Sequence, residues 1–205
     1  METSQILAYV IALGVAVAIP GPGLTALMAR TLSSGVTIGF TFMFGLMLGD
    51  LIYLTFAVFG LALVAANFAN IFIVIKWFSV LYLCYLAWLF WTAKHHDMNT
   101  KTPTTTRDLL SAVISGVGVT LGNPKPIAFY LALLPLVIDI ESVTFNHWLF
   151  TLVPLTVIVL MSIGGVYILA ANSMRVYLAN RSAQRAIHRV AALAMVGAAG
   201  TMVMK

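Results

Sequence analysis

Long apolar stretches constrain this chain more than any other feature. A helix of roughly 20 mainly apolar residues crosses the hydrocarbon core of a bilayer. Only 8% of the residues are charged, against about 25% in soluble domains, so a surface that faces water throughout is excluded. We therefore predict a polytopic all-α membrane protein with one transmembrane domain over residues 1–205. Six stretches are apolar enough to be its helices: 5–29, 37–65, 70–92, 109–138, 147–172 and 187–204. Because the last is short and rich in Ala and Gly, five helices remain an alternative.

The basic residues predict the orientation. Cytoplasmic connections carry an excess of Lys and Arg, and eight basic residues fall on one side of the predicted helices against Lys205 on the other. The connecting loop 94–108 lies on the basic side and is expected in the cytoplasm, so both termini are expected outside. The net charge of +5 thus reflects topology, and we expect membrane lipid around the chain and no nucleic-acid partner. The eight residues are Arg30, Lys94, Lys101, Arg107, Arg175, Arg181, Arg185 and Arg189.

Two Pro-rich interruptions divide the chain into halves, 1–93 and 109–205. The first is Pro20-Gly21-Pro22-Gly23, and the second is Asn123-Pro124-Lys125-Pro126, about half a chain later. Each opens a group of three predicted helices. Because three is odd, the second group enters the membrane from the opposite face. The pattern predicts a 3+3 inverted repeat with broken helices 1 and 4, which is typical of secondary transporters.

Proline removes a backbone donor and clashes with the preceding turn. Backbone groups freed in this way are tolerated at membrane depth only beside protein or a water-filled cavity. We expect half-helices to restart near Leu24 and Ile127, with their positive N-terminal ends directed at the bilayer centre, where they can bind an anionic group. The alternative is that these residues only kink or pack the helices. The predicted substrate-binding residues at the breaks are Pro20, Gly21, Pro22, Gly23, Leu24, Asn123, Pro124 and Lys125.

Two ionisable residues lie inside the predicted helices. Asp50 is near the middle of the second helix, and Lys125 is within the second break. A charge at the centre of a membrane helix costs about 2.5–3.5 kcal/mol on insertion scales, so both are expected to face a polar interior. We predict that Asp50 binds substrate or carries a coupling proton. The alternative is a purely structural role, either an Asp50–Lys125 pair or a carboxylate that caps hydroxyl groups.

Other chemistry is not indicated. The single Cys excludes a disulfide framework, and His95-His96-Asp97 lies in the polar 94–108 loop, where a solvated surface is expected in place of a metal site. The chain has no phosphate-binding Gly-rich loop with Lys. We therefore predict no enzyme activity, no metal and no cofactor, and an ion gradient or the substrate's own gradient as the energy source.

These motifs resemble the lysine exporter / homoserine–threonine resistance family (LysE/RhtB). The resemblance covers about residues 5–138 and is carried by Pro20-Gly21-Pro22, Gly35, Gly39, Gly45, Gly49-Asp50, Gly60-Leu61-Ala62, Lys76-Trp77, Tyr82-Leu83, Gly122-Asn123-Pro124-Lys125 and the run from Phe129 to Pro135.

That resemblance implies secondary export of a small amino acid or amino-acid derivative from a bacterial inner (plasma) membrane. The substrate and a coupling proton are then the expected small partners, and both termini would be periplasmic. Small helix faces make a homodimer plausible. Two alternatives remain open: a divalent-cation exporter, which one intramembrane carboxylate disfavours, and a non-transporting subunit of a membrane assembly.

Overall fold

A computed structural model gives the fold, and every regular element in its described part is a helix. The structure describes residues 2–60, 77, 81, 84, 85, 87, 88, 91, 92, 105–174, 186, 189, 190, 192, 193, 195–197 and 200. Most of the predicted helices 70–92 and 187–204, and most of the loop 94–108, lie outside these residues.

The first predicted helix is broken where the prolines stand. Helix α1 covers Thr3–Ala18 and helix α2 covers Pro22–Ser34, with a bend of 58° between them. Helix α2 begins two residues before the predicted restart at Leu24. The reason is that proline fits the first helical position, where its missing N–H would have no partner.

A single residue, Gly35, joins α2 to helix α3, which covers Val36–Phe59. Its φ of 90° lies in the left-handed region, which favours glycine because no Cβ is present to clash. The reversal therefore needs no longer loop, and α3 packs back against α2.

The second break follows the same order. Helix α4 covers Thr106–Leu121, and after Gly122 and Asn123 the chain restarts at Pro124–Ala128, makes a π-helical turn at Phe129–Leu133 and ends at Leu134–Val137. We call these three pieces together α5 (124–137). A 3₁₀ turn at Ile140–Ser142 leads to helix α6, Phe145–Met174, which contains a second π-helical turn at Trp148–Leu152.

Among the described residues, α3 and α6 are each long and apolar enough to cross a membrane, and the bent pair α1–α2 passes the same test as one broken span. These elements correspond to predicted helices 37–65, 147–172 and 5–29. The described part of the protein is therefore all-helical, and the protein is membrane-embedded.

Glycines bring α3 and α4 into backbone contact. A Cβ on Gly45 would collide with the Val113 carbonyl, and one on Gly116 would collide with the Phe42 carbonyl. Nearby, the Thr120 hydroxyl donates to the Leu46 carbonyl at 3.0 Å. Small residues at such positions let membrane helices approach closely, so this contact fixes α4, and with it the second break, against α3.

Two apolar clusters fill the interior. One includes Leu24, Leu27 and Leu46, and the other includes Leu13 and Leu54. Asp50 lies on α3 between Leu46 and Leu54, one helical turn from each, so the buried carboxylate sits at the boundary of the two clusters.

Candidate functional site

The two breaks meet in one cavity. It has about 680 Å³ of empty space, a figure that includes the solvent at its open mouth. Its walls come from α1, α2, α3, α4, α5 and α6 and are mostly apolar. The lining residues are Leu13, Ala16, Val17, Gly21, Gly23, Leu24, Leu27, Met43, Leu46, Met47, Asp50, Thr120, Asn123, Lys125, Pro126, Phe129, Leu160 and Gly164.

At the first break, the start of α2 faces the cavity through its backbone. Gly21 precedes the helix in an extended conformation and provides no side-chain cap, so the amides of Gly23 and Leu24 keep their capacity to donate. The two prolines have different surroundings: Pro20 is exposed and Pro22 is buried, and neither lines the cavity. The prolines therefore shape the break, while the residues around them form its wall.

At the second break, a side chain and two prolines limit the number of free amides. The Asn123 side chain accepts a hydrogen bond from the Lys125 amide at 3.1 Å, and neither Pro124 nor Pro126 has an N–H. The Lys125 amide is therefore already paired and is not free to hold an anion. Asn123 serves as the N-cap of α5, whereas the start of α2 has no side-chain cap.

Lys125 links the two breaks through its side chain. Its ammonium group donates a hydrogen bond to the carbonyl of Ile19, the residue after α1. The side chain also lies beside Gly21, where a Cβ would be 3.5 Å from Lys125 Cδ. A carbonyl freed by one break is thus satisfied by the cation of the other, which places a positive charge next to the N-terminus of α2.

Asp50 faces the same cavity from α3 and is 7% exposed. Its carboxylate and the Lys125 ammonium attract each other electrostatically, but no direct ion pair joins them in the described part of the chain. The fully structural pair considered from the sequence is therefore not formed. A positive and a negative group instead remain separately available at one cavity.

Comparisons with known proteins identify the family of the chain. The family model described as LysE type translocator matches residues 14–205. The chain belongs to that family. It is 28% identical to an uncharacterised membrane protein of Synechocystis sp., over 89% of this chain and 84% of the relative. It is 31% identical to an uncharacterised membrane protein of Vibrio cholerae, over 72% of this chain and 70% of the relative. No solved structure matches the chain.

In this LysE type translocator, two tyrosines hold the broken helices in a reciprocal way. Tyr53 of α3 donates to the carbonyl of Leu121, the last residue of α4, at 2.6 Å. Tyr167 of α6 donates to the carbonyl of Ala18, the last residue of α1, at 2.9 Å. Each long helix therefore satisfies a helix end in the other half of the chain.

Sequence reasoning did not assign these tyrosine contacts, nor the apolar wall of the cavity. One signal was present, because Tyr53 follows Asp50 by three residues and Tyr167 follows Gly164 by three. Asp50 and Gly164, the first member of each pair, both line the cavity. The carbonyl that each tyrosine binds lies in a distant segment, so a spacing rule alone does not reveal it.

Proposed function

We propose that this LysE type translocator is a secondary transporter that exports a small amino acid or amino-acid derivative across the bacterial inner membrane, driven by the proton gradient. The main support for this proposal is that Asp50 and Lys125 face one cavity without forming a direct ion pair in the described part of the chain. A zwitterionic solute can bind between such groups, because each of its charges meets an opposite charge.

The polar part of the solute has two binding regions. Its carboxylate fits the N-terminus of α2, where the Gly23 and Leu24 amides, the helix dipole and the Lys125 ammonium all favour an anion. Its amino group fits the Asp50 carboxylate. Gly21 leaves space beside Lys125, and Asn123 fixes the start of α5, so each break contributes to the binding geometry.

The remaining wall favours a solute without a further charge. Leu13, Met43, Met47 and Phe129 line the cavity, and Asp50 is the one carboxylate among the described lining residues. A second amino group on the solute would have no anionic partner there and would lose its hydration. The cavity therefore fits an uncharged side chain better than a basic one.

Proton coupling is assigned to Asp50, because a buried carboxylate in contact with the solute can exchange a proton as the solute binds or leaves. A divalent cation is less suited to this site. Among the described residues no group of three or more His, Cys, Asp or Glu could hold a metal ion, and such ions require several oxygen ligands.

The same proposal includes the architecture. Six membrane helices in a 3+3 inverted repeat, with both termini in the periplasm, are supported by the basic residues of the sequence and by the two broken helices. Alternating access around a fixed central site is the expected transport mode for this architecture.

The proposal is tested by overexpressing the chain in a bacterium that is challenged with toxic analogues of neutral, basic and acidic amino acids. Resistance to neutral analogues is expected, and resistance to basic ones is not. Asp50→Asn should abolish the resistance, and Asp108→Asn is the matched control because Asp108 is exposed and outside the cavity. Intracellular retention of every analogue at the level of an empty vector would contradict export of amino acids.

A further inference from the structure

Three buried hydroxyl groups surround one another close to Asp50. They belong to Tyr9 of α1, Tyr130 of α5 and Thr156 of α6, and all three residues are 0% exposed. Tyr9 and Tyr130 are members of the apolar cluster that contains Leu54, one turn beyond Asp50. Because a hydroxyl buried among apolar side chains is costly unless it is hydrogen-bonded, the partners of these three groups can be followed one by one.

Two of the three protons are committed. The Thr156 hydroxyl donates to the Leu152 carbonyl at 2.7 Å, so Thr156 has no proton left to donate. The Tyr9 hydroxyl lies 2.6 Å from Thr156 Oγ1 and must therefore be the donor in that contact. The Tyr9–Thr156 pair thus offers only acceptor lone pairs to any further group.

The third proton, on the Tyr130 hydroxyl, is not held by a hydrogen bond. The Tyr130 hydroxyl is buried and forms no hydrogen bond with the described residues. The Asp50 carboxylate and the Tyr9 and Thr156 hydroxyls are all within interaction range of the Tyr130 hydroxyl. Tyr130 therefore has one proton and two kinds of acceptor, a carboxylate and the oxygen atoms of the Tyr9–Thr156 pair.

We propose that the Tyr130 hydroxyl changes its hydrogen-bond acceptor according to the protonation state of Asp50. When Asp50 is ionised, the Tyr130 hydroxyl donates to its carboxylate. When Asp50 is protonated, Asp50 donates to the Tyr130 oxygen and Tyr130 donates to the Tyr9–Thr156 pair. In this second state every proton from Asp50 to the Leu152 carbonyl has an acceptor. The inference rests on the proposed function only in taking Asp50 as the proton carrier.

The other groups that face Asp50 have no proton that can move between two acceptors in this way. Lys125 acts on Asp50 as a charge, and its ammonium donates to the Ile19 carbonyl. Tyr53 is also within electrostatic range of Asp50, but its proton is held by the Leu121 carbonyl at 2.6 Å. From α4 and α6 the cavity receives only uncharged residues in the described part of the chain. Tyr53 is consequently a matched control for Tyr130.

The position of Tyr130 connects this choice to the substrate cavity. Tyr130 lies in the π-helical turn of α5, directly after Phe129, which lines the cavity. The two rings meet edge to face with centroids 5.0 Å apart, and the Phe129 ring is 6.3 Å from that of Tyr9. A rotation of the Tyr130 side chain therefore acts on the cavity wall through Phe129, and makes Tyr130 a positioning residue for transport.

The test is an infrared titration of the full chain in lipid vesicles, which needs no substrate. The carboxyl band of protonated Asp50 is assigned by its loss in Asp50→Asn. Tyr130→Phe removes the donor to the ionised carboxylate, so the midpoint should move to higher pH by about one unit. Tyr53→Phe should leave the midpoint unchanged. In the parent protein, a tyrosine ring band should change at the same pH as the Asp50 band.

A second variant tests the opposite sign. Tyr9→Phe together with Thr156→Val removes the alternative acceptors, so Tyr130 remains on the carboxylate and the midpoint should move to lower pH. This result does not depend on the folding of Tyr130→Phe, which is checked by thermal unfolding in detergent. Equal midpoints in the parent protein and a folded Tyr130→Phe, a shift of the double variant to higher pH, or an Asp50 band that does not titrate would overturn the role of Tyr130.

Export is measured separately in the same vesicles with a panel of neutral and basic amino acids. If the parent protein moves none of them while the midpoints shift as expected, the proposed export fails and the role of Tyr130 stands. If the parent protein transports and the midpoints do not shift, only the role of Tyr130 fails.

Discussion

At the scale of single residues, Asp50 separates coupled transport from simple binding. Asn at position 50 keeps the size and hydrogen-bonding capacity of the side chain but cannot take up a proton. In vesicles with an imposed pH difference, we expect Asp50→Asn to lose uphill transport of neutral amino acids and to fall to the level of protein-free vesicles. The measurement is accumulation of a radiolabelled amino acid against its own gradient.

Asp108→Asn is the control for this experiment. The Thr105 hydroxyl and backbone amide hold the pKa of Asp108 below its ordinary value, so this carboxylate stays charged as the pH is varied upward from its usual titration range. Its replacement should leave pH-driven transport close to that of the parent protein. Uphill transport by Asp50→Asn at the parent rate would exclude Asp50 as the coupling group.

Asp50 and Lys125 could be predicted as functional candidates because charged residues inside apolar segments are rare and costly. Their individual partners could not be predicted. The Ile19 carbonyl becomes an acceptor for Lys125 only because folding brings together two breaks about a hundred residues apart. The proton of Tyr130 is likewise left free only because Tyr9 and Thr156 pair with each other across 147 positions of sequence.

At the scale of helices, the first break should be required for binding. With Pro20→Ala and Pro22→Ala together, the chain can continue as one helix and pair the amides that now face the cavity. A helix N-terminus contributes up to about 2 kcal/mol to a partly buried anion, so we expect roughly tenfold weaker transport or more. Pro154→Ala is the control, because Pro154 is exposed on α6 and should tolerate the change. Unchanged transport by the double variant would reduce the motif to a packing kink.

The contact between α3 and α4 makes a separate prediction about stability. Gly45→Ala places a methyl group against the backbone of α4, and such overpacking costs typically about 1–3 kcal/mol. We expect a lower unfolding temperature in detergent. Gly165→Ala is the control on α6, where a Cβ would meet nothing within 4 Å. It should leave stability unchanged or raise it slightly, since alanine favours a helix over glycine. Equal destabilisation by the two variants would contradict the close packing of α3 and α4.

The helix breaks themselves could be predicted, because proline chemistry is local. Their detail could not. Helices α2 and α5 start at Pro22 and Pro124 because proline is tolerated at a first helical position. Each break contains two prolines, so the sequence alone locates each start only to within a few residues. The capping of Lys125 by Asn123 and the π-helical turn that orients Tyr130 depend on the neighbouring helices that pack there.

At the scale of the whole molecule, α3 and α6 share one burial pattern. The five buried residues of the main part of α6 are Thr156, Leu160, Gly164, Ile168 and Ala171. Shifted by the spacing between Tyr53 and Tyr167, they fall on the buried α3 residues Phe42, Leu46, Asp50, Leu54 and Ala57. This register supports the repeat proposed from the two breaks. It also shows where the halves differ, because the counterpart of Asp50 in α6 is Gly164. The two halves together therefore have a single carboxylate at this position.

The proposed inversion requires α4 and α5 together to cross the membrane, and this can be tested with two exposed positions, Thr106 and Ser142. In a background with Cys84→Ser, single cysteines at these positions should react with a membrane-impermeant thiol reagent from opposite sides, with position 106 on the cytoplasmic side because of the nearby basic loop. Cysteine in place of Glu2 provides the reference for the periplasmic terminus and should react from the same side as position 142. If positions 106 and 142 react from one side, α4 and α5 form a re-entrant hairpin. Helix α6 would then cross the membrane in the same direction as α3, its counterpart in the first half, and the inverted repeat would be wrong even if the cavity and its charged groups are retained.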